Sequence, residues 1–191
     1  LCSVVAFAVM IEKLMYIQGI KINTRKFMGE ISYSLKRNRA DEAIEMCDKS
    51  SGPLPKVLRA GILKYDRARQ EVKEAIEDAA LHEIPKLEKN IGLLATIAQI
   101  SPLLGFLGTA IGLAEIFQKI QAKAAVLSPV TPADISGGLW QALITMIGGL
   151  LVAIPTVAAY NYFVNKTNYI IREMEISATD LVNILSEKKA E

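Results

Sequence analysis

Two long windows of this chain hold no charged residue, and nothing else in it constrains the fold as strongly. From Ile91 to Ala114 there are 24 residues without Asp, Glu, Lys, Arg or His, and from Ile135 to Asn165 there are 31. A helix rises about 1.5 Å per residue, so these windows would reach roughly 36 Å and 46 Å. A hydrocarbon layer is about 30 Å thick, and about 20 apolar residues cross it. Backbone in lipid must satisfy its own hydrogen bonds, which leaves the helix as the state for both windows. The second should run on into water. Only 22% of the residues are charged and mean hydropathy is +0.28, which disfavours a disordered chain and a simple water-soluble enzyme. A net charge of +2 is too balanced for a nucleic-acid arm, so no nucleic-acid partner is expected.

A third apolar stretch runs from Leu1 to Ile11, ahead of Glu12 and Lys13. It reads as the inner end of a truncated transmembrane helix continuing through Leu14, Met15, Tyr16 and Ile17. The alternative is a signal-peptide apolar region, which lacks a small-x-small cleavage site after the run. The predicted fold is therefore an all-α integral membrane protein with three transmembrane helices, the first partial, and a cytoplasmic helical hairpin. Its segments are 1–17 (first span), 18–90 (cytoplasmic), 91–114 (second span), 115–134 (periplasmic connection), 135–165 (third span) and 166–191 (cytoplasmic helix). Long helices should extend from the membrane into the cytoplasm.

Lysine and arginine set the orientation. The 115–134 connection carries only Lys119 and Lys123, whereas 18–90 carries 15 such residues, Lys21, Arg25, Lys26, Lys86 and Lys89 among them beside the spans. The positive-inside rule puts 18–90 and the C-terminus in the cytoplasm and the short loop outside.

The cytoplasmic segment carries helix punctuation. Asn23 or Thr24 suits a cap before Arg25. Phe27, Ile31 and Leu35 recur at helical spacing, and Ala43, Ile44 and Cys47 continue past a break at Asn38–Asp41. Ser50-Ser51-Gly52-Pro53 ends that unit, and Pro55 limits the next helix start. Leu58, Ile62 and Tyr65, then Val72, Ile76, Ala79 and Ala80, form an apolar run. Pro85 should kink the chain, with a helix from Lys86 leading into the second span without a loop. Cys2 and Cys47 sit where no disulfide is favoured, and no Cys/His cluster offers a metal site. His82 has no nucleophile near it in sequence. No cofactor and no enzymatic chemistry are expected.

Inside the spans the informative residues are small or weakly polar. Lipid tails give helices no hydrophobic drive to associate, so small residues bring backbones close and hydroxyls or amides bond across. In the third span Gly138, Gln141, Thr145, Gly148, Val152, Thr156 and Ala159 recur at three and four residues and should share a face, opposite Leu139, Leu143, Met146, Leu150, Ile154 and Val157. The second span carries Pro102, Gly105, Gly108, Thr109 and Gly112. The spacing assigns helix packing to Gly105, Gly108, Gly112, Gly138 and Gly148. Thr109, Thr145 and Gln141 suggest a polar seam, because an amide or hydroxyl in lipid needs a partner or water. Glu115 and Asp134, at the outer ends of the spans, read as interfacial. If protons cross here, the titrating group must come from another polypeptide.

The strings Ser101-Pro-Leu-Leu-Gly-Phe-Leu-Gly-Thr109-Ala-Ile-Gly112 and Ala153-Ile-Pro155-Thr-Val-Ala-Ala-Tyr-Asn161, with Leu139-Trp-Gln-Ala-Leu143 between them, resemble the MotA/TolQ/ExbB proton-channel family, closest to its ExbB/TolQ branch. The resemblance covers nearly the whole chain, with weaker features at Val9–Leu14 and Glu42–Cys47. It implies a homopentamer around two copies of a single-span partner of the ExbD/TolR/MotB type, whose transmembrane Asp carries the proton. It implies a bacterial inner-membrane motor driven by the proton-motive force, serving a TonB-like protein or a rotor. Thr109 matches the family's span-two threonine facing the central pore, and Pro102 and Pro155 match its membrane prolines. Gln141 stands where relatives often have Glu, so no acid titrates there. Met146 stands where they often have Thr, with Thr145 one residue earlier. Helical spacing favours Thr145 as the pathway hydroxyl and the resemblance points to position 146. The alternative function is a non-conducting membrane scaffold whose small-residue faces only pack.

Overall fold

The structure is a computed structural model that describes residues 2–20 and 23–187. Readings placed on Leu1, on Lys21 and on the segment from 188 onward lie outside the described residues. Among those described there are seven helices: α1 (Cys2–Gly19), α2 (Thr24–Lys36), α3 (Ala40–Lys49), α4 (Pro53–Ile62), α5 (Arg69–Glu88), α6 (Ile91–Ala125) and α7 (Pro132–Glu187). No strand occurs among them. Three helical stretches, near the N-terminus, ending at Ala125 and beginning at Pro132, are long and apolar enough to cross a membrane. The protein is an all-α membrane protein. With 35 and 56 residues, α6 and α7 are longer than the about 20 that hydrocarbon requires, so both extend into water.

The chain divides into two compact units, one holding Asn90–Tyr162 with residues up to Met10, the other Ile11–Lys89 with residues from Phe163 on.

In the second unit, helix ends follow local chemistry. Asn23 caps α2, its side chain accepting from Lys26 N at 3.2 Å. Gly52 has φ 130°, a backbone that L side chains rarely adopt, and so separates α3 from α4. Pro53 and Pro55 then sit in the first turn of α4, where a missing N–H is harmless. The apolar run from Leu58 to Ala80 is not one helix. α4 ends at Ile62, the chain turns through 63–68, and Tyr65 is exposed in that turn. The core combines Ile31 and Leu35 of α2, Cys47 of α3, Leu58 and Ile62 of α4, Val72 and Ile76 of α5, and Met174, Leu181 and Leu185 of α7. The tail of α7 is thus an integral strip of this core. Two ion pairs tie elements together, Arg59 to Asp48 at 2.7 Å and Lys56 to Glu83 at 3.3 Å. Lys86 also holds Glu83, at 2.5 Å. Glu83 is buried, which pushes its carboxyl up, but bonds from Lys86 and Lys56 outweigh this and hold it below the usual range. Burial pushes the Cys47 thiol up to about 11.

The break before α6 falls at Lys89–Asn90, beyond Pro85, which lies inside α5. Asn90 takes the left-handed conformation at φ 64°, which asparagine tolerates better than most residues. The ending of α5 leaves the Leu87 carbonyl without its helical donor. Lys13, buried on the Ala6–Val9–Lys13–Ile17 stripe of α1, supplies one: its Nζ donates to Leu87 O at 2.9 Å.

Candidate functional site

The first unit contains an antiparallel seam between α6 and α7, built almost without side chains. A Cβ on Gly112 would lie 2.9 Å from both Ala142 Cβ and Gly138 O. One on Gly138 would lie 2.5 Å from Ile116 Cγ1, one on Gly108 2.6 Å from Thr145 Oγ1, and one on Gly149 2.6 Å from Ser101 O. At Gly105 the Cβ position is 3.1 Å from Thr145 O. These contacts run in opposite order along the two helices, so α6 and α7 pair antiparallel in tight register. Close backbones maximise dispersion contact where lipid offers no hydrophobic drive.

Gly105, Gly108, Gly112 and Gly138 line this seam. At Gly148 an added Cβ would meet nothing within 4 Å, and the close approach belongs to Gly149. The face of α7 turned to α6 is correspondingly rotated from the one the spacing suggested. It presents Gly138, Ala142, Thr145, Gly149 and the buried Ala153 and Thr156, while Gln141 and Gly148 are exposed. The reason is geometric: Ala142, 1% exposed, takes the centre of the contact, and Gln141 lies about 100° away around the helix.

The hydroxyls of Thr109, Thr145 and Thr156 are engaged with backbone. Thr109 Oγ1 donates to Gly105 O and across the seam to Ala142 O, each at 3.2 Å. Thr145 Oγ1 donates to Gln141 O at 3.1 Å and to Ala142 O at 2.9 Å. Thr156 Oγ1 donates to Val152 O at 2.7 Å. Such bonds spare a threonine the cost of an unpartnered hydroxyl in lipid. Their oxygens keep acceptor capacity for water or an acid proton. Ser101 Oγ, also buried, has no hydrogen-bond partner. Ala142 and Ser101 were not singled out from the sequence; the small-residue spacing Gly138–Ala142–Thr145–Gly149 was the available signal for Ala142.

The prolines withdraw backbone donors. Pro102 is half-buried inside α6, and Pro155, inside α7, lacks the N–H that Leu151 O would accept from. Leu151 is exposed on the face turned away from α6. Where α6 gives way to α7, Lys123 Nζ bonds Asp134 Oδ2 at 2.6 Å, and Thr131 Oγ1 and N donate to the same oxygen at 2.6 and 2.8 Å. These bonds, that of Lys123 foremost, hold the Asp134 carboxyl well below the usual carboxylate range. No group of three His, Cys, Asp or Glu suited to a metal ion occurs among the described residues.

A profile of the MotA/TolQ/ExbB proton channel family matches residues 49–176, which take in the seam and helices α4 and α5 of the helical core. The chain belongs to this family. Its ExbB/TolQ branch supplies the similar proteins. The putative biopolymer transport protein ExbB homolog of Methanothermobacter thermautotrophicus is 29% identical over 175 residues, 91% of this chain and 61% of that protein. The Tol-Pal system protein TolQ of Pseudomonas aeruginosa is 32% identical over 152 residues, 74% of this chain and 64% of TolQ. The biopolymer transport protein exbB1 of Vibrio cholerae is 30% identical over 165 residues, 83% of this chain and 69% of its own length. The chain therefore spans less than two thirds of the Methanothermobacter protein and of the Pseudomonas TolQ. Within this ExbB/TolQ-type chain, the matched region includes every residue of the α6–α7 seam.

Proposed function

We propose that this chain is the proton-channel subunit of a motor driven by the proton-motive force, working as a homopentamer in a bacterial inner membrane. Five α6–α7 pairs surround a shaft occupied by two copies of a single-span ExbD/TolR/MotB-like partner, whose Asp carries the proton. Residues 18–90 and the C-terminus face the cytoplasm. The work energised is an envelope process of the TonB or Tol type, or a rotor. Proton passage, not bond chemistry on a substrate, is the activity.

The observation that carries this reading is the absence of any Asp, Glu, Lys, Arg or His from the two charge-free windows, combined with hydroxyls held at their seam. A pathway there needs a carboxylate from elsewhere. Ionising an acid at mid-membrane is costly, and hydrogen bonds to water and hydroxyls lower that cost. Thr109 supplies the hydroxyl on α6, and the 145–146 pair supplies the α7 contribution. Pro102 and Pro155 allow bends where the helices line the shaft, and Gln141 adds an amide that cannot titrate.

Thr109→Val tests this. Valine keeps the shape and removes the hydroxyl. The pentamer should still assemble with its partner while energy coupling and proton flux are lost. Unchanged flux would overturn the role of Thr109. A shaft plugged by leucines, with no room for a partner helix, would favour the scaffold reading instead.

A further inference from the structure

The second unit holds a cavity of about 320 Å³ where the end of α1 and the first turns of α2 and α4 meet α7. Ligand sites typically span roughly 300–1,000 Å³ and combine apolar walls with a few polar groups. Here Ile17, Leu54 and Ile170 belong to the apolar wall, and Thr24, Lys166, Tyr169 and Glu173 to the polar rim. Asn23 also reaches the rim, but its side-chain oxygen is committed to Lys26 N.

The place of these residues in the chain sets the depth of the cavity. Lys166 is the first charged residue after the window that ends at Asn165. An apolar helix leaves hydrocarbon where its first charge stands, so the cavity opens at the level of lipid headgroups.

The rim carries one charge of each sign. Lys166, Tyr169 and Glu173 follow one another at three and four residues and share a face of α7. Lys166 and Glu173 are both half-buried, and neither enters an ion pair among the described residues. Lys166 Nζ instead lies over the Tyr169 ring, 5.0 Å from its centroid. A half-buried charge without a counter-ion gains from any ligand that supplies one. A purely basic pocket selects an anionic headgroup. A cation and a carboxylate beside an aromatic face complement a zwitterion, and a carboxylate bonds best to an ammonium that still has N–H donors.

We propose that this cavity binds the headgroup of a phosphatidylethanolamine, with Lys166 and Thr24 on its phosphate and Glu173 and the Tyr169 ring on its ammonium. The apolar wall takes the glycerol and the first acyl carbons. The lipid then fastens α7 to the joint between α1 and α2 at the membrane edge. None of this rests on proton passage, since a non-conducting scaffold would hold the same lipid.

Native mass spectrometry tests the site on the whole assembly extracted from its membrane. The assembly is washed in detergent and offered phosphatidylethanolamine, phosphatidylglycerol or phosphatidylcholine with matched acyl chains. Phosphatidylethanolamine should be retained best, at one molecule per subunit. Lys166→Gln should weaken its retention about tenfold or more, the worth of a charge-assisted hydrogen bond. Glu173→Gln should weaken it too and shift the preference toward phosphatidylglycerol. The oligomer mass in the same spectra reports assembly, and Tyr169→Leu replaces any variant that fails to assemble. Equal or better retention of either other lipid overturns the proposal. So does phosphatidylethanolamine retention that is absent, or that is unchanged in the variants.

Discussion

The hydroxyls of Thr109 on α6 and Thr145 on α7 converge on a single acceptor, Ala142 O, at 3.2 and 2.9 Å. A carbonyl has two lone pairs and one here serves its own helix, so Ala142 O takes a proton from one hydroxyl at a time, while the other donates to Gly105 O or Gln141 O of its own helix. The crossed bond from Thr109 ties the two helices at a point where no charged or bulky group intervenes. Glycines at 105, 108 and 112 make that approach sterically available.

Gly108→Ala should loosen this tie. Its Cβ would lie 2.6 Å from Thr145 Cβ, and overpacking of this kind costs about 1–3 kcal/mol. Thermal unfolding of the purified assembly should show the loss. Thr145→Gly in the same chain removes the clashing atoms and should recover part of it, a coupling expected of residues in contact.

The adjacent glycines 148 and 149 should separate in their response. Gly149→Ala meets Ser101 O at 2.6 Å, backbone that has no easy way to yield, whereas Gly148→Ala meets nothing within 4 Å of the same chain. The melting temperature should fall clearly more for Gly149→Ala. Equal losses would show that the register of the seam differs from the one described.

Lys13→Met should expose the joint between α5 and α6. The variant keeps a long apolar side chain but strips Leu87 O of its donor. A buried acceptor left unsatisfied costs about 1–3 kcal/mol. Hydrogen exchange of amides around Lys89–Leu94 should accelerate, while exchange within α2 and α3 should be unaffected.

Acid should weaken the helical core through Glu83. Its carboxyl is held below the ordinary value because Lys86 and Lys56 outweigh burial. A depressed carboxylate contributes stability that is full above its unfolded pKa, about 4.3, and fades as pH falls through the folded value. Both lysines are more than half exposed, so the contribution is modest. Melting scans between neutral and acid pH should decline less steeply for Glu83→Gln than for the unaltered protein.

Much of the architecture was legible in the residues alone. Charge-free windows marked the membrane-competent parts of α6 and α7, because an unpaired charge is excluded from lipid whatever the fold. Asn23, Gly52 and Pro53 marked helix boundaries, because capping and φ restrictions act within a few residues. Tyr65 continues the spacing of Leu58 and Ile62 but lies exposed in the turn after α4, since spacing alone does not show where a helix ends. Membership of Met174, Leu181 and Leu185 in the helical core was hidden, since the rest of that core comes from α2 to α5, on the far side of both charge-free windows in the sequence.

By itself, then, the sequence determined the helical class, the spans and the small-residue character of their faces, all consequences of solvation and local backbone preference. Tertiary structure alone decided that Gly149 and not Gly148 closes the seam and that Ala142 centres it. Periodicity leaves a helix free to rotate by the angle of one residue. Only backbone contact with a second helix stops that rotation.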